Sequence, residues 1–138
     1  MSDIKNIFDI SGRAMASQLV RLNTVASNLA NAGTVSATEE EAFRSLKPVF
    51  ATKFADSFEK NGGSTVDVVG IERVNRDPER AFMPNHPSAD DDGFVYRAAV
   101  DENEEMIEMV EASRQYQNNV EVISTLRALM MRTISMGK

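Results

Sequence analysis

The segment of this sequence closest to a metal-binding motif is SADDDG, at residues 88–93. When its glycine takes the sixth position of an EF-hand loop, Asp90 and Asp92 fall at the third and fifth positions, where carboxylates bind calcium. The first position is then Ser88, and the twelfth is Ala99, where a bidentate glutamate is required. Because both anchoring ligands are missing, the pattern favours a solvated acidic turn.

Other candidates for catalysis are equally weak. The sequence has no cysteine and one histidine, which excludes disulfides, thiolate ligands and cysteine nucleophiles. His86 lies between Pro84 and Pro87, which favours a rigid turn with a partly packed imidazole over a general base. A group of glutamates falls at a predicted helix start, and we interpret it as capping and solvation: Glu102, Glu104, Glu105, Glu108 and Glu111. We therefore predict no catalytic, cofactor-binding or metal-binding residue and no enzyme activity.

Length and charge narrow the class of protein further. The 138 residues suit one domain, and 21 acidic against 15 basic residues give a net charge of -6. That charge disfavours nucleic acid or an anionic membrane as the main partner. No apolar run reaches the ~20 residues of a membrane span. The first residues, MSDIKNIFDISGRAMA, lack the pattern of a secretory signal peptide, which by default indicates a cytoplasmic protein unless a dedicated machine exports it.

Both ends of the chain carry long helical patterns. Over residues 4–31 the apolar positions recur at helical spacing, which predicts an amphipathic helix that stops near Gly33. Its stripe comprises Phe8, Met15, Leu19, Leu22, Ala26 and Leu29. From residue 102 the same spacing recurs, and proline is absent. Acidic residues come first and basic residues last, as the dipole of a helix favours. Together these features predict a second helix of about 33 residues. Its stripe comprises Met109, Ala112, Tyr116, Val120, Ile123, Leu126, Met130 and Ile134.

Residues 35–101 differ from both ends because they contain all four prolines. Three short runs match strands, at residues 48–54, 66–74 and 94–100. Asn-Gly-Gly-Ser at residues 61–64 predicts a turn or a flexible loop tip. The expected fold is mainly α, with paired terminal helices (residues 1–34 and 102–138) and a small, loop-rich β insert between them (residues 35–101).

The stretch LNTVASNLANAGT, at residues 22–34, combines asparagines with closely spaced alanines. Asparagine is a poor helix former because its amide competes for backbone hydrogen bonds. In coiled coils, however, a polar residue at a packed position fixes register and partner number. The residues alone leave two interpretations equally open: Asn28 and Asn31 specify a helix partner, or they face water.

The same stretch resembles the N-terminal signature of the flagellar basal-body rod and hook family. EASRQYQNNVEV, at residues 111–122, resembles that family's C-terminal block, as does the ending at residues 129–137. NIFDISG at residues 6–12 and HPSAD at residues 86–90, together with the short chain, are most similar to proximal rod members. The resemblance covers both predicted helices well and the insert in patches.

This resemblance implies a structural protein. It implies that the terminal helices pair as an antiparallel coiled coil and that subunits polymerise helically around the export channel, forming part of the periplasmic drive shaft that transmits torque. The flagellar type III export apparatus would export the chain without a cleaved signal peptide. Implied partners are copies of itself, other rod proteins and the adaptor at the membrane-ring end, with no cofactor, nucleic acid or membrane insertion. A soluble helical adaptor that binds partner helices is the alternative.

The residues expected to carry helix packing and assembly lie in the two helices. They are Leu22, Asn23, Val25, Ala26, Asn28, Leu29, Ala30, Asn31, Met109, Tyr116, Asn119, Val120, Ile123, Leu126 and Met130. We expect Leu22, Val25 and Leu29 to hold the helix pair within one chain. We expect the asparagines to be satisfied by neighbouring chains, so that replacing Asn28 with leucine impairs assembly more than stability.

Overall fold

Two long helices occupy the ends of the chain in the computed structural model, which describes residues 2–54 and 64–137. Helix α1 runs over Ser2–Asn31 and helix α2 over Glu102–Met136. Both predicted helices are therefore confirmed, each slightly longer than its apolar stripe indicated. Neither is long and apolar enough to cross a membrane.

Polar contacts mark the end of α1 and the beginning of α2. Past Asn31 the Thr34 hydroxyl and amide both donate to the Asn31 carbonyl, at 2.7 and 3.1 Å. Asp101 caps α2, because its carboxylate accepts hydrogen bonds from the amides of Asn103 and Glu104. These bonds satisfy backbone groups that have no partner inside a helix.

The described part of the insert contains five strands in two antiparallel sheets. Strands β2 (Leu46–Phe54) and β3 (Ser64–Arg73) form a hairpin, with an irregular register between Val49 and Phe50. Both strands were predicted. Of the turn predicted at residues 61–64, the first three residues lie outside the described residues, and Ser64 is the first residue of β3.

The second sheet has three strands in the order β1-β5-β4. They are β1 (Val35–Ser36), β4 (Glu79–Phe82) and β5 (Phe94–Arg97). The predicted third strand corresponds to β5 but ends earlier, at Arg97. Two residues later the Ala99 amide leaves this sheet and donates to the carbonyl of Phe43, at 2.7 Å. Strands β1 and β4 were not predicted, since two to four residues are too few for an alternating pattern.

The buried apolar core is small. Five apolar residues are buried among those described: Val25, Ala42, Val95, Ala99 and Ala112. Three of them are alanines, so the terminal helices and the insert meet at close range over a thin core. Many large apolar side chains elsewhere are exposed, including Ile107 and Met136 on α2. A subunit with this distribution hides little of its apolar surface by itself.

Candidate assembly surface

A polar junction joins α1 to the insert. The Asn28 side chain, fully buried, accepts a hydrogen bond from the Leu46 amide and donates one to the Leu46 carbonyl, each 2.8 Å long. Leu46 is the first residue of β2. The Asn28 side chain bonds to its backbone amide and carbonyl in the way that a neighbouring strand would. The expectation that neighbouring chains satisfy Asn28 is therefore wrong, because its partners lie within the same chain.

Asn31 and Asn23 differ from Asn28 in their surroundings. The Asn31 side chain donates to the carbonyl of Ser27, one turn earlier on its own helix, at 2.8 Å. Asn23 is exposed. The three asparagines therefore belong to three different environments, which their common residue type could not reveal.

The beginning of α2 completes the junction. Glu105 is only 3% exposed, and its pKa is raised because burial penalises the charged form, although a hydrogen bond from Asn28 and the charge of Lys47 oppose this. Glu104, the preceding residue, and Glu108, about one turn further on, bind cations outside α2. The interpretation of these three glutamates as capping and solvation is wrong, since they hold contacts between elements.

Two ion-pair groups surround Glu105. Glu104 binds Lys47 of β2 at 2.8 Å and Arg76 at 2.9 Å, and these partners lower its pKa, with the Lys47 hydrogen bond as the largest cause. Glu108 binds Arg21 of α1, with a distance of 2.9 Å from the arginine Nε. Each carboxylate thus ties α2 to a different part of the chain.

The hairpin also lies against the middle of α1. The Arg13 guanidinium contacts the carboxylate of Asp67 on β3 at 3.3 Å. The Ser17 hydroxyl donates to the carbonyl of Val66 at 3.2 Å. Since both partners lie on β3, the insert is attached to the helices along a line and not only at the Asn28 junction.

Along each helix, one set of buried and half-buried side chains recurs every three or four residues, and we call these two sets the seam. On α1 they are Phe8, Ser11, Met15, Gln18, Leu22, Val25 and Leu29, and on α2 they are Glu105, Met109, Ala112, Tyr116, Asn119, Ile123, Leu126 and Met130. One contact across this seam is the 3.0 Å hydrogen bond from Gln18 to Gln115. Ser11, Gln18 and Glu105 were not predicted as packing residues, because they are polar and the helical pattern was defined by apolar residues. The seven-residue spacing from Phe8 to Leu29 could have indicated the two on α1.

The predicted packing residues divide by exposure. Val25 and Asn28 are buried. Partly buried are Leu22, Leu29, Asn31, Met109, Tyr116, Asn119, Ile123, Leu126 and Met130, and exposed are Asn23, Ala26, Ala30 and Val120. The last group lies outside the seam and remains available to another chain.

An exposed apolar patch covers the opposite side of α2. It consists of Met106, Ile107 and Val110, which are 59%, 67% and 59% exposed. They line a shallow groove together with Glu111, Arg114, Gln115 and Asn118. A helix that is apolar on both sides is normally covered on both sides. We call Met106, Ile107 and Val110 the outer patch.

The acidic segment forms a structured turn. Asp90 accepts hydrogen bonds from the amides of Phe94 and Asp92, at 2.7 and 3.1 Å, and pairs with Arg80 at 3.2 Å. These contacts lower its pKa, with the Phe94 hydrogen bond as the largest cause. Within the described residues, no cluster of acidic or histidine side chains could hold a metal ion. The carboxylate of Asp90 therefore shapes the backbone.

His86 also takes part in a turn. Its Nδ1 accepts a hydrogen bond from the Ser88 amide at 3.1 Å, and the side chain is half-buried. This agrees with the predicted rigid turn and partly packed imidazole. Within residues 2–54 and 64–137, no hydrogen bond or ion pair gives His86 an acidic partner of the kind a general base uses.

Family models match the regions of both helices, and curated proteins match nearly the whole chain. The family model described as flagella basal body rod protein matches residues 8–38, and the model described as flagellar basal body rod FlgEFG protein C-terminal matches residues 91–136.

The chain matches curated relatives over nearly their full length. The flagellar basal-body rod protein FlgC of Salmonella typhimurium (strain LT2) is 37% identical over 96% of this chain and 97% of its own. FlgC of Escherichia coli O6:H1 is 37% identical with the same coverage. FlgC of Aquifex aeolicus is 31% identical over the whole of both chains.

Proposed function

Because the chain belongs to the FlgC family of flagellar basal-body rod proteins, we propose that this structural subunit polymerises helically into the proximal rod around the export channel. As a rod protein of the basal body it is not an enzyme, and it assembles with other rod proteins. Beyond membership of the family, we propose that the subunit lies in the proximal rod and packs there with helical symmetry. In that place the subunit would form part of the drive shaft that transmits torque.

The exposed outer patch is the observation that carries this proposal. Met106, Ile107 and Val110 lie on the side of α2 away from the seam, and further exposed apolar residues follow along the helix, such as Val122 and Leu129. An isolated subunit gains nothing from this surface. In a helical assembly the contacts are heterologous, so each subunit presents several different patches to its neighbours.

We further propose that α1 and α2 form an antiparallel coiled coil. Three contacts support it: Gln18 with Gln115, Arg21 with Glu108 and Asn28 with Glu105. As the residue number rises on α1, the partner's number falls on α2. The spacing of three and four along both seams is that of a coiled coil.

The division into helices and insert remains part of this proposal. Residues 1–34 and 102–138 would form the core of the rod, and residues 35–101 would project from it. The contacts of Asn28 with Leu46 and of Arg13 with Asp67 support an insert held at a fixed orientation. A fixed orientation is what a repeating helical contact requires.

The predicted packing residues take two roles in the proposal. Residues of the seam, such as Leu22, Val25 and Ile123, would hold the helix pair within one subunit. Exposed residues would meet neighbouring subunits, and these are Asn23, Ala26, Ala30 and Val120. Small side chains such as Ala26 and Ala30 allow close approach of another backbone.

The remaining partners follow from the family. We propose that the type III export apparatus delivers the subunit to the periplasm without a cleaved signal peptide, and that the adaptor at the membrane-ring end contacts the rod. A reporter fused to the chain in export-competent cells tests this. Retention of the full-length chain in the cytoplasm would favour the alternative of a soluble helical adaptor.

Complementation tests the assembly itself. In a bacterium that lacks its own FlgC, this chain should restore basal-body rods seen by electron microscopy. Val120→Asp should fold, because position 120 is 43% exposed, yet fail to build rods, because assembly would bury an unpaired charge. Asn103→Asp, in the first turn of α2 where acids are favoured, is the matched control. Normal rods from Val120→Asp would remove position 120 from the interface.

A further inference from the structure

The register of the hairpin fixes the direction of the backbone groups of β3. At the base of the hairpin the Val74 amide donates to the Ser45 carbonyl at 2.8 Å, so these two residues form a hydrogen-bonded pair. Hydrogen-bonded and non-hydrogen-bonded pairs alternate along antiparallel strands. Counted from Val74, Arg73 and Ile71 are therefore non-hydrogen-bonded positions, and their amides and carbonyls point away from β2.

Two features of β2 agree with this direction. Leu46, opposite Arg73, uses its amide and carbonyl for the Asn28 side chain. Pro48, opposite Ile71, has no amide hydrogen to donate across the hairpin. Both features thus support an outward direction for the backbone groups of Ile71 and Arg73.

These outward groups are open to solvent. Every residue of the range 69–73 is exposed, and the Ile71 side chain is 53% exposed. Apart from the pairing with β2, no hydrogen bond among the described residues engages the backbone of Ile71 or Arg73. We call Ile71 and Arg73 the free edge. An unpaired strand edge is a template for another strand.

Helix α1 covers the edges of the hairpin at two other places. The Ser17 hydroxyl donates to the Val66 carbonyl of β3, and the Asn28 side chain binds Leu46 of β2. Helix α1 therefore crosses the hairpin from the edge of β3 near one end to the edge of β2 near the other. The free edge stays uncovered, because it lies on β3 at the end where α1 has reached the side of β2.

The free edge fits one kind of partner, an extended backbone. It offers two amides and two carbonyls on residues that are two apart, about 7 Å along the strand. An extended strand supplies matching acceptors and donors at the same spacing, which is how peptides add to an exposed sheet edge. The hairpin sheet has only two strands, and a third strand stabilises a sheet of this size.

The free edge of a second copy is a poor partner. If two free edges paired antiparallel through both residues, Ile71 of each copy would lie opposite Arg73 of the other. The two Glu72 side chains would then lie directly opposite each other, and like charges at such positions are destabilising. Glu72 instead favours a strand that places a basic side chain there.

We propose that an extended strand of another rod protein pairs with the free edge and places a basic side chain opposite Glu72. The hairpin then becomes part of a three-stranded sheet that two different subunits share. This inference rests on the proposed function, because the rod brings the partner to this edge. It adds a contact through the insert to those of the helices.

Ile71→Pro tests the pairing in the bacterium that lacks its own FlgC. Proline removes the outward amide and its ring blocks the approach of a strand. The bonds between β2 and β3 remain, since position 71 makes none of them. We expect at least about tenfold fewer rods than with the wild-type chain. Ile71→Ala keeps the amide, so it is the matched control and should build rods at close to the wild-type number.

Three outcomes separate this inference from the proposed function. Equal numbers of rods from the wild-type chain and from Ile71→Pro would overturn the shared strand and leave the proposed function intact. Absence of rods with the wild-type chain would refute the proposed function and this inference with it. A dimer of the purified wild-type chain that Ile71→Pro abolishes, measured by sedimentation, would assign the edge to a second copy and overturn the choice of partner.

Charge reversal tests the basic side chain opposite Glu72. Glu72→Lys should reduce the number of rods several-fold, whereas Glu72→Gln should reduce it less. Because Lys47 lies opposite Glu72 within the hairpin, urea unfolding of both free variants is measured alongside. Wild-type numbers of rods from Glu72→Lys would overturn the basic partner.

Amide hydrogen exchange decides the matter if Ile71→Pro fails to fold, which circular dichroism would show by comparison with Ile71→Ala. In the free wild-type chain the Ile71 and Arg73 amides should exchange at least about tenfold faster than the Glu72 amide, which points to β2. In wild-type rods their exchange should slow about tenfold or more. Unchanged exchange of both amides on assembly would overturn the proposal.

Discussion

Asn28 holds both backbone groups of Leu46, with two hydrogen bonds of 2.8 Å between a helix side chain and the first residue of a strand. The side chain is fully buried, so no water replaces these bonds. This pairing explains why an asparagine stands within a long helix. Asparagine lowers the stability of a helix, but here its side chain offsets this loss by bonding to the backbone groups where β2 begins.

Replacing Asn28 should therefore destabilise the subunit itself. Asn28→Ala leaves the Leu46 amide and carbonyl without partners, and we expect a loss of about 2–3 kcal/mol in the free energy of unfolding by urea. Asn28→Leu should behave similarly, in contrast to the expectation from sequence. Asn23→Ala, at an exposed position of the same helix, should change stability by about 0.5 kcal/mol or less. Equal losses in the alanine variants at positions 28 and 23 would contradict this account.

The ion pairs of Glu104 should make stability sensitive to acid. The pKa of Glu104 is lowered, chiefly by the hydrogen bond from Lys47. Its contribution to the free energy of unfolding is therefore present above the ordinary glutamate pKa, and it is lost as the pH falls through the lower pKa of the folded chain. Because Glu104 is 37% exposed, the effect is screened to less than about 1 kcal/mol. Glu104→Gln should be less stable than the wild type at neutral pH and equal to it in strong acid. Glu40→Gln, in an exposed part of the insert, should show no such convergence.

The two sides of α2 should respond differently to the same substitution. Ala112 is 0% exposed in the seam and Ile107 is 67% exposed in the outer patch. Ala112→Asp buries an unpaired charge and should prevent folding, as circular dichroism would show. Ile107→Asp should fold with unchanged helix content but build no rods when it replaces the wild-type chain. Rods of normal length from Ile107→Asp would show that the outer patch is not an assembly surface.

The last turns of α2 should be the least stable part of the free subunit. Among the described residues of this helix, only Glu105 and Ala112 are buried, and Leu129, Met131 and Ile134 are more than half exposed. Amides after position 120 should exchange faster than those around Ala112 in dilute solution, and become protected on assembly. Full helix content in the dilute monomer, measured by circular dichroism, would count against this prediction.

Among the glycines that the structure describes, Gly93 should be the least tolerant of a side chain. It has a φ of 80°, and a Cβ there would lie 3.0 Å from both Phe82 and Pro84. Gly93→Ala should therefore lower the free energy of unfolding by about 1 kcal/mol or more. At Gly33 a Cβ would meet no atom within 4 Å, so Gly33→Ala is the control and should be nearly neutral. A larger loss at position 33 than at position 93 would refute this assignment.

Periodicity was enough to predict the long elements. The stripes of α1 and α2 and the runs of β2 and β3 repeat their pattern several times, so the signal accumulates along the chain. Strands β1 and β4 contain two and four residues, and their pairing depends on β5, which is distant in sequence from β1. Local propensity therefore could not predict them.

The candidate surface was predictable in part for the same reason. The seam residues Leu22, Val25 and Met109 follow from the apolar pattern. Gln18 and Glu105 do not, because a polar residue in a seam differs from a solvated one only in its neighbours. The environment of Asn28 likewise depends on Leu46, which lies in another element.

The sequence by itself determined two long terminal helices, a β-containing insert between them, the absence of disulfides and the family. These properties come from composition, from local periodicity and from stretches such as LNTVASNLANAGT. Only the tertiary structure decided which polar groups are satisfied within the chain, as with Asn28 and Leu46, and which glutamate loses its water, as with Glu105. Burial and hydrogen bonding are properties of pairs that are distant in sequence, so they appear only when the elements are packed together.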